Sequence, residues 1–280
     1  MSRRHPLRVL LLTRFYPPAP EVGGLRPANL VRALRAAGHE VTVVTALPPA
    51  ATRPEQQRGD TRRSQSTGVR TVCVERHLGP RQWLMRGTRL LLSGATAERT
   101  DGNAPTSPSD ATAPREVDES LATRLRALVL SYPWLPDDHQ GLIFPAVRTA
   151  VDEAERAPYD VIVATAPPFS TLPAGVAAST LTGSPLVIAY RDPWNYGDDP
   201  LPHLHSSADR LNRWLERFCL RHATEVVAVS EQNGALQAGH RGALGKAAPL
   251  VIRNGIDVVR SDRSGARGDT PVRIVHVGAL

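Results

Sequence analysis

The 280 residues carry a formal charge of +7 and are 41% apolar, enough for one large α/β domain or two modest ones. Aromatic residues make up 5%, and the basic residues are scattered arginines with Lys246 the only lysine, which argues against a nucleic-acid surface of interleaved bases and rings. No apolar run reaches bilayer length, Met1–Pro6 leads into a strand and not a leader peptide, and Cys73 and Cys219 lack metal-ligand spacing. Two inert core thiols and a cytoplasmic location follow as expectations. Arginine suits bidentate contact with phosphate or carboxylate, but an Ala- and Arg-rich composition explains the count equally well.

The chain opens with a strand (Leu7–Thr13), a loop (Arg14–Leu25), a helix (Arg26–Ala37) and a second strand (Glu40–Thr45). Three prolines stiffen the loop, and Gly23-Gly24 then allow close backbone approach just ahead of a helix N-terminus, a corner suited to an anion. A loop that merely needs glycine flexibility is the plainer reading of the same pair. Leu30, Val31 and Leu34 supply the apolar stripe, Pro27 suits the first helical turn, and Gly38 reads as a left-handed cap.

Ala46–Gly68 reads as a mobile loop and Val69–Glu75 as a third strand. Arg81–Leu92 is apolar and cationic together. It fits either a helix packed on the sheet or one lying on an anionic membrane face. Ser93–Ser120 has almost no large apolar side chains and reads as a disordered insertion. Leu121–Leu130 is helical, Tyr132–Asp138 breaks the pattern, and Gly141–Arg156 is helical again.

From Tyr159 the alternation is regular. Asp160–Thr165 is a strand, Ala166–Ser170 a tight turn with Ser170 as N-cap, and Thr171–Leu181 a small-residue helix ended near Gly183. Pro185–Tyr190 is an apolar strand of the kind buried on both faces, ending at Arg191-Asp192-Pro193-Trp194. The next helix, capped by Asp209, places Leu211, Trp214, Leu215, Phe218 and Cys219 on one expected inner face. Glu225–Val229 and Pro249–Ile252 are further strands, ending at Ser230 and at Arg253–Asp257. Val258–Pro271 resembles a linker, and Val272–Val277 is a last strand.

Alternating strands and helices imply an α/β fold with a doubly wound parallel sheet. Ligands of such sheets bind at the carboxyl ends of the strands. That rule gathers Gly23-Gly24, Ala166–Ser170, Arg191–Trp194, Ser230-Glu231 and Asn254–Asp257 on one rim. A nicotinamide site does not fit: the glycines come too late after strand one, and strand two ends in Val43-Val44-Thr45-Ala46 without an acid. No Gly-Lys-Ser/Thr phosphate loop occurs.

The ordered set Thr-Arg-Phe-Tyr-Pro-Pro with Gly-Gly (13–24), Ala-Gly-His-Glu-Val-Thr-Val-Val-Thr (37–45), Asp-Val-Ile-Val-Ala-Thr-Ala-Pro-Pro (160–168), Tyr-Arg-Asp-Pro-Trp (190–194), Ala-Val-Ser-Glu (228–231) and Asn-Gly-Ile-Asp (254–257) resembles the N-terminal half of glycosyltransferase family 4. The resemblance implies a Rossmann-like half of a GT-B fold over residues 1–257, a linker at 258–271, and the first strand of a donor-binding domain at 272–280. It implies retaining transfer from a nucleotide-sugar donor to a glycan, lipid-linked or small-molecule acceptor, without metal or other cofactor and without nucleic acid.

On that resemblance Arg191 and Asp192 stand where many members carry a histidine. Asp192 would accept a hydrogen bond from a sugar hydroxyl and Arg191 would meet a phosphate; an internal Arg–Asp pair fixing the loop is the alternative. Gly23, Gly24, Pro168, Ser170, Trp194, Ser230, Glu231 and Asn254 are the substrate-side candidates. Asn254, Gly255 and Asp257 read more as a turn toward a hinge than as catalytic groups, and His39 as structural. The nucleotide-holding half is not recognisable in these residues, so the chain alone is expected to be nearly inactive. A non-catalytic assembly module, or half of a split transferase held at the inner membrane face, is the second reading.

Overall fold

The computed structural model describes residues 5–17, 22–47, 63–64, 69–77, 135–195 and 206–255. The expectations for Arg81–Leu92, the 93–120 insertion, the 121–130 helix, Asp257, the 258–271 linker and the 272–280 strand lie outside those residues. The elements run β1 (Arg8–Leu12), α1 (Leu25–Ala36), β2 (Glu40–Ala46), β3 (Arg63–Ser64), β4 (Arg70–Val74), α2 (Ile143–Arg156) and β5 (Val161–Ala166). They continue with α3 (Thr171–Thr182), β6 (Leu186–Tyr190), α4 (Ser206–His222), β7 (Glu225–Ala228), α5 (Glu231–Gly242) and β8 (Leu250–Val251).

Among the described residues, one sheet holds all eight strands in the order β3-β4-β2-β1-β5-β6-β7-β8. Every pair is parallel except β3 with β4. The strand order reverses between β2 and β5, on either side of β1, so the crevice of a doubly wound sheet opens above β1 and β5. β3 pairs Arg63 with Val72 and Ser64 with Thr71, inside the stretch expected to be a plain loop. Its two residues are too short and too polar to announce themselves by alternation.

Alternation of side chains makes two cores. Leu10, Leu12, Ile162, Ala164, Leu186 and Ile188 face the side covered by α2, α3 and α4. Val9, Leu11, Val41, Val43 and Val163 face the side of α1, where Val31 is buried. Each buried Val, Leu or Ile among them contributes about 1.5–3 kcal/mol by leaving water. The small residues of α3 let it lie close on β5: a Cβ at Gly175 would stand 2.7 Å from the Ala164 Cβ. Gly38 and Gly183 close α1 and α3 with φ of 89° and 73°, as expected of left-handed caps.

Three local expectations are corrected. Ser170 has helical backbone and does not cap α3. Its N–H and Oγ both donate to Asp137, at 3.0 and 2.5 Å, so an acid from a distant turn does the capping. α4 starts at Ser206 rather than at an Asp209 cap, and Asp209 is buried in the first turn against Arg213 at 2.8 Å. α4 keeps only part of its expected face: Cys219 is buried and Leu215 and Phe218 pack against the core, but Leu211 and Trp214 do not. Ala208, Asp209, Asn212, Glu216, Cys219 and Leu220 face inward, while Leu211 and Trp214 face out.

Candidate functional site

The loops above β1 and β5 are pinned by a chain of buried hydroxyls. Thr165 Oγ1 donates to Thr13 Oγ1 at 3.1 Å, Thr13 Oγ1 to the Phe15 carbonyl at 3.1 Å, and Thr45 Oγ1 to the Arg14 carbonyl at 3.1 Å. Three strand ends thereby hold Phe15 in place at the crevice.

Arg191, at the end of β6, reaches across it. Its Nη1 donates to the Gly23 carbonyl at 2.6 Å, its Nη2 to the Pro167 carbonyl, and its guanidinium carbon lies 5.9 Å from the Phe15 ring centre. A Cβ on Gly23 would stand 2.8 Å from both Arg191 Nη1 and Phe15 Cδ2. The close approach that Gly23 permits is therefore made by Arg191 and Phe15. Gly24 is different: a Cβ there would meet its neighbours at an ordinary 3.6 Å.

Arg26, in the first turn of α1, makes the second bridge. Its Nη1 donates to Asn254 Oδ1 at 2.8 Å and its Nη2 to the Ile252 carbonyl at 3.2 Å. Burial lowers the pKa of both Arg191 and Arg26, and the Asp192 carboxylate opposes that for each. Both guanidiniums remain cationic. Asp192 itself is exposed on the rim. One exposed carboxylate whose charge is felt by two half-buried cations is the result.

The remaining sequence candidates divide by burial. Glu231 and Asn254 are exposed, and Ser230 caps α5 by accepting the Asn233 N–H at 3.1 Å. Pro168, Ser170 and Gly24 are buried. Trp194 is 3% exposed, stacked on Phe169 at 5.2 Å with 10° between planes. Its indole N–H donates to Asn212 Oδ1 at 3.0 Å. Asn212 Nδ2 donates to Asn195 Oδ1 at 3.0 Å, Asn195 Nδ2 to Glu216 Oε2 at 2.5 Å, and Tyr190 Oη to Glu216 Oε1 at 3.3 Å. Burial pushes the Glu216 carboxyl up, against those hydrogen bonds and the Arg213 and Arg217 charges. This network braces the Arg191–Asn195 loop from behind.

Four rim residues escaped the sequence reading: Arg14, Arg76, Asp137 and His139. Asp137 also accepts the His139 N–H at 2.8 Å. The His139 ring meets Phe15 edge-on, with centroids 6.2 Å apart, and its Nδ1 lies 2.9 Å from Arg76 Nη1. An arginine can only donate, so Nδ1 accepts and Nε2 carries the ring proton. Burial lowers the His139 pKa, Asp137 opposes this, and the Arg14 and Arg76 charges add to it, keeping the imidazole neutral. A polar pair inside a Pro-rich break carries no periodicity, so no local signal marked it. Among the described residues, no three His, Cys, Asp or Glu side chains group as metal ligands.

Fold and rim together define a doubly wound α/β domain with a polar, arginine-braced edge at its strand carboxyl ends. The model of the glycosyl transferase 4-like domain matches residues 23–255, and the chain belongs to that family. A search of curated proteins finds no match. Similar solved structures include a glycosyltransferase from Rickettsia africae ESF-5, with 10% identity and TM-score 0.41, covering 90% of this chain and 44% of that one. SsfS6 from Streptomyces sp. SF2575, complexed with thymidine diphosphate, is 16% identical with TM-score 0.35, covering 87% and 48%. SnogD from Streptomyces nogalater is 19% identical with TM-score 0.33, covering 80% and 45%. The chain thus spans less than half the length of these three proteins.

Proposed function

We propose that this chain is the acceptor-side domain of a retaining glycosyltransferase that moves a sugar from a nucleotide-sugar donor to a glycan, lipid-linked or small-molecule acceptor. The observation that carries the reading is the strand-end rim where Arg191 bridges the Gly23 and Pro167 carbonyls, Arg26 bridges Asn254 and Ile252, and the Asp192 carboxylate is exposed, in a member of the glycosyl transferase 4-like family. Asp192 accepts a hydrogen bond from a sugar hydroxyl, and the flanking cations bias that edge toward a phosphate. Arg191 acts mainly by position, because both its Nη atoms hold backbone carbonyls. Transfer requires donor and acceptor pinned together, and orientation supplies much of the rate. The nucleotide is held by groups other than those described here, so the 280 residues alone turn over little or nothing. No metal or other cofactor enters this reading.

The test is release of nucleoside diphosphate from a panel of nucleotide sugars by the active enzyme. Asp192→Asn should lower kcat/KM by about 10–100-fold, the worth of one charge-assisted hydrogen bond, with an unchanged far-UV spectrum. Unaltered kinetics would remove Asp192 from the site.

A further inference from the structure

The face of α4 turned away from the sheet carries Arg210, Leu211, Trp214, Arg217, Arg221 and His222, recurring at helical spacing. Leu211 is 39% and Trp214 56% exposed. Trp214 stacks on Phe218 at 5.4 Å, and Phe218 lies 4.3 Å from the His222 ring, so an aromatic ladder follows the helix. It walls a groove of about 670 Å³ that Leu244 and His240, by the end of α5, close from the other side.

The polarity of α4 is inverted relative to an ordinary surface helix. Its two carboxylates, Asp209 and Glu216, are 6% and 4% exposed and point inward. Arg210, Arg217 and Arg221 enter no ion pair among the described residues. Favourable interaction with the helix dipole accounts for Arg221 and His222 in the last turn. It does not account for Arg210 near the start, for Arg217, or for an outward tryptophan. An outer face of unpaired cations and exposed apolar groups, with no carboxylate, complements a negatively charged surface that also accepts apolar side chains.

We propose that this face of α4 docks on an anionic membrane surface. Arg210, Arg217 and Arg221 meet headgroup phosphates, while Leu211 and Trp214 enter the interfacial layer, where the amphipathic indole is at home. The proposal stands on α4 alone and is independent of the transferase reading.

Sedimentation of the full 280-residue chain with vesicles tests it, comparing a phosphatidylglycerol–phosphatidylcholine mixture with phosphatidylcholine alone. Binding is expected to the mixture only and to weaken as salt is raised. The double substitution R217Q/R221Q should cut the partition coefficient by roughly 30-fold, at the strength usual for two arginines near an anionic surface. W214A should cut it several-fold with an unchanged far-UV spectrum, since all three positions are exposed. Absence of wild-type binding at low salt overturns the proposal. Equal binding by W214A/R217Q/R221Q also overturns it, moving the contact to another segment. So does a wild-type dimer that dissociates in W214A without any vesicle binding, which would give the face to a second copy.

Discussion

Gly23→Ala isolates the stitch at the centre of the rim. The added methyl would stand 2.8 Å from Arg191 Nη1 and 2.8 Å from Phe15 Cδ2, well inside van der Waals contact. Arg191 is the more yielding neighbour, and by moving away it gives up its 2.6 Å bond to the Gly23 carbonyl. A hydrogen bond from a charged donor contributes about 1.5–3 kcal/mol, and the stiffer unfolded chain of an alanine variant returns about 0.4–1 kcal/mol. Net destabilisation of about 1–2 kcal/mol follows. For a chain of this size that lowers the melting temperature by roughly 2–8 °C. Urea denaturation followed by circular dichroism reads it directly, with Gly24→Ala as control. The control methyl meets its neighbours at 3.6 Å, so this variant should keep the gain of about 0.4–1 kcal/mol from its stiffer unfolded chain. Equal stability of Gly23→Ala and wild type, or a larger loss in Gly24→Ala, would refute the assignment of Gly23 to a contact with Arg191.

Asp137→Ala removes the acceptor of both Ser170 donors, and should cost about 2 kcal/mol or more in the same denaturation assay, while Ser170→Ala should cost about half as much. Glu216 has a folded-state pKa raised by burial, so its contribution is full below the ordinary glutamate value of 4.5 and is lost as pH rises through the folded value. Glu216→Gln should therefore gain on wild type as pH rises from acid to neutral; a constant gap in urea midpoint would contradict this. The Cys219 thiol is buried and pushed up to about 12, whereas Cys73 is partly accessible. Thiol labelling at pH 8 should reach Cys73 in the native protein and Cys219 only on unfolding.

The expected strands β1, β2, β5 and β6 and their parallel arrangement were readable because a continuous apolar run between turn signals reflects burial on both faces. The rim followed from the general rule for such sheets. The use each rim residue makes of its atoms did not follow. Arg191 finds its acceptors at Gly23, 168 positions away, and at Pro167, 24 positions away, and no spacing pattern encodes either partner. Asp137 and His139 were invisible for the same reason: their role depends on Ser170, Phe15 and Arg76 arriving beside them.

Helix α4 divides the two kinds of information most sharply. Spacings of three and four residues established by themselves that it is an amphipathic helix, just as apolar runs and glycines established the α/β sheet and its capped turns. Which face turned inward was decided only by the assembled fold. There Trp194, Asn195 and Tyr190 offer Asn212 and Glu216 hydrogen bonds that a sheet of purely apolar residues would have denied them. A polar side chain is costly to bury only while it lacks partners, and those partners come from parts of the chain that local periodicity does not see.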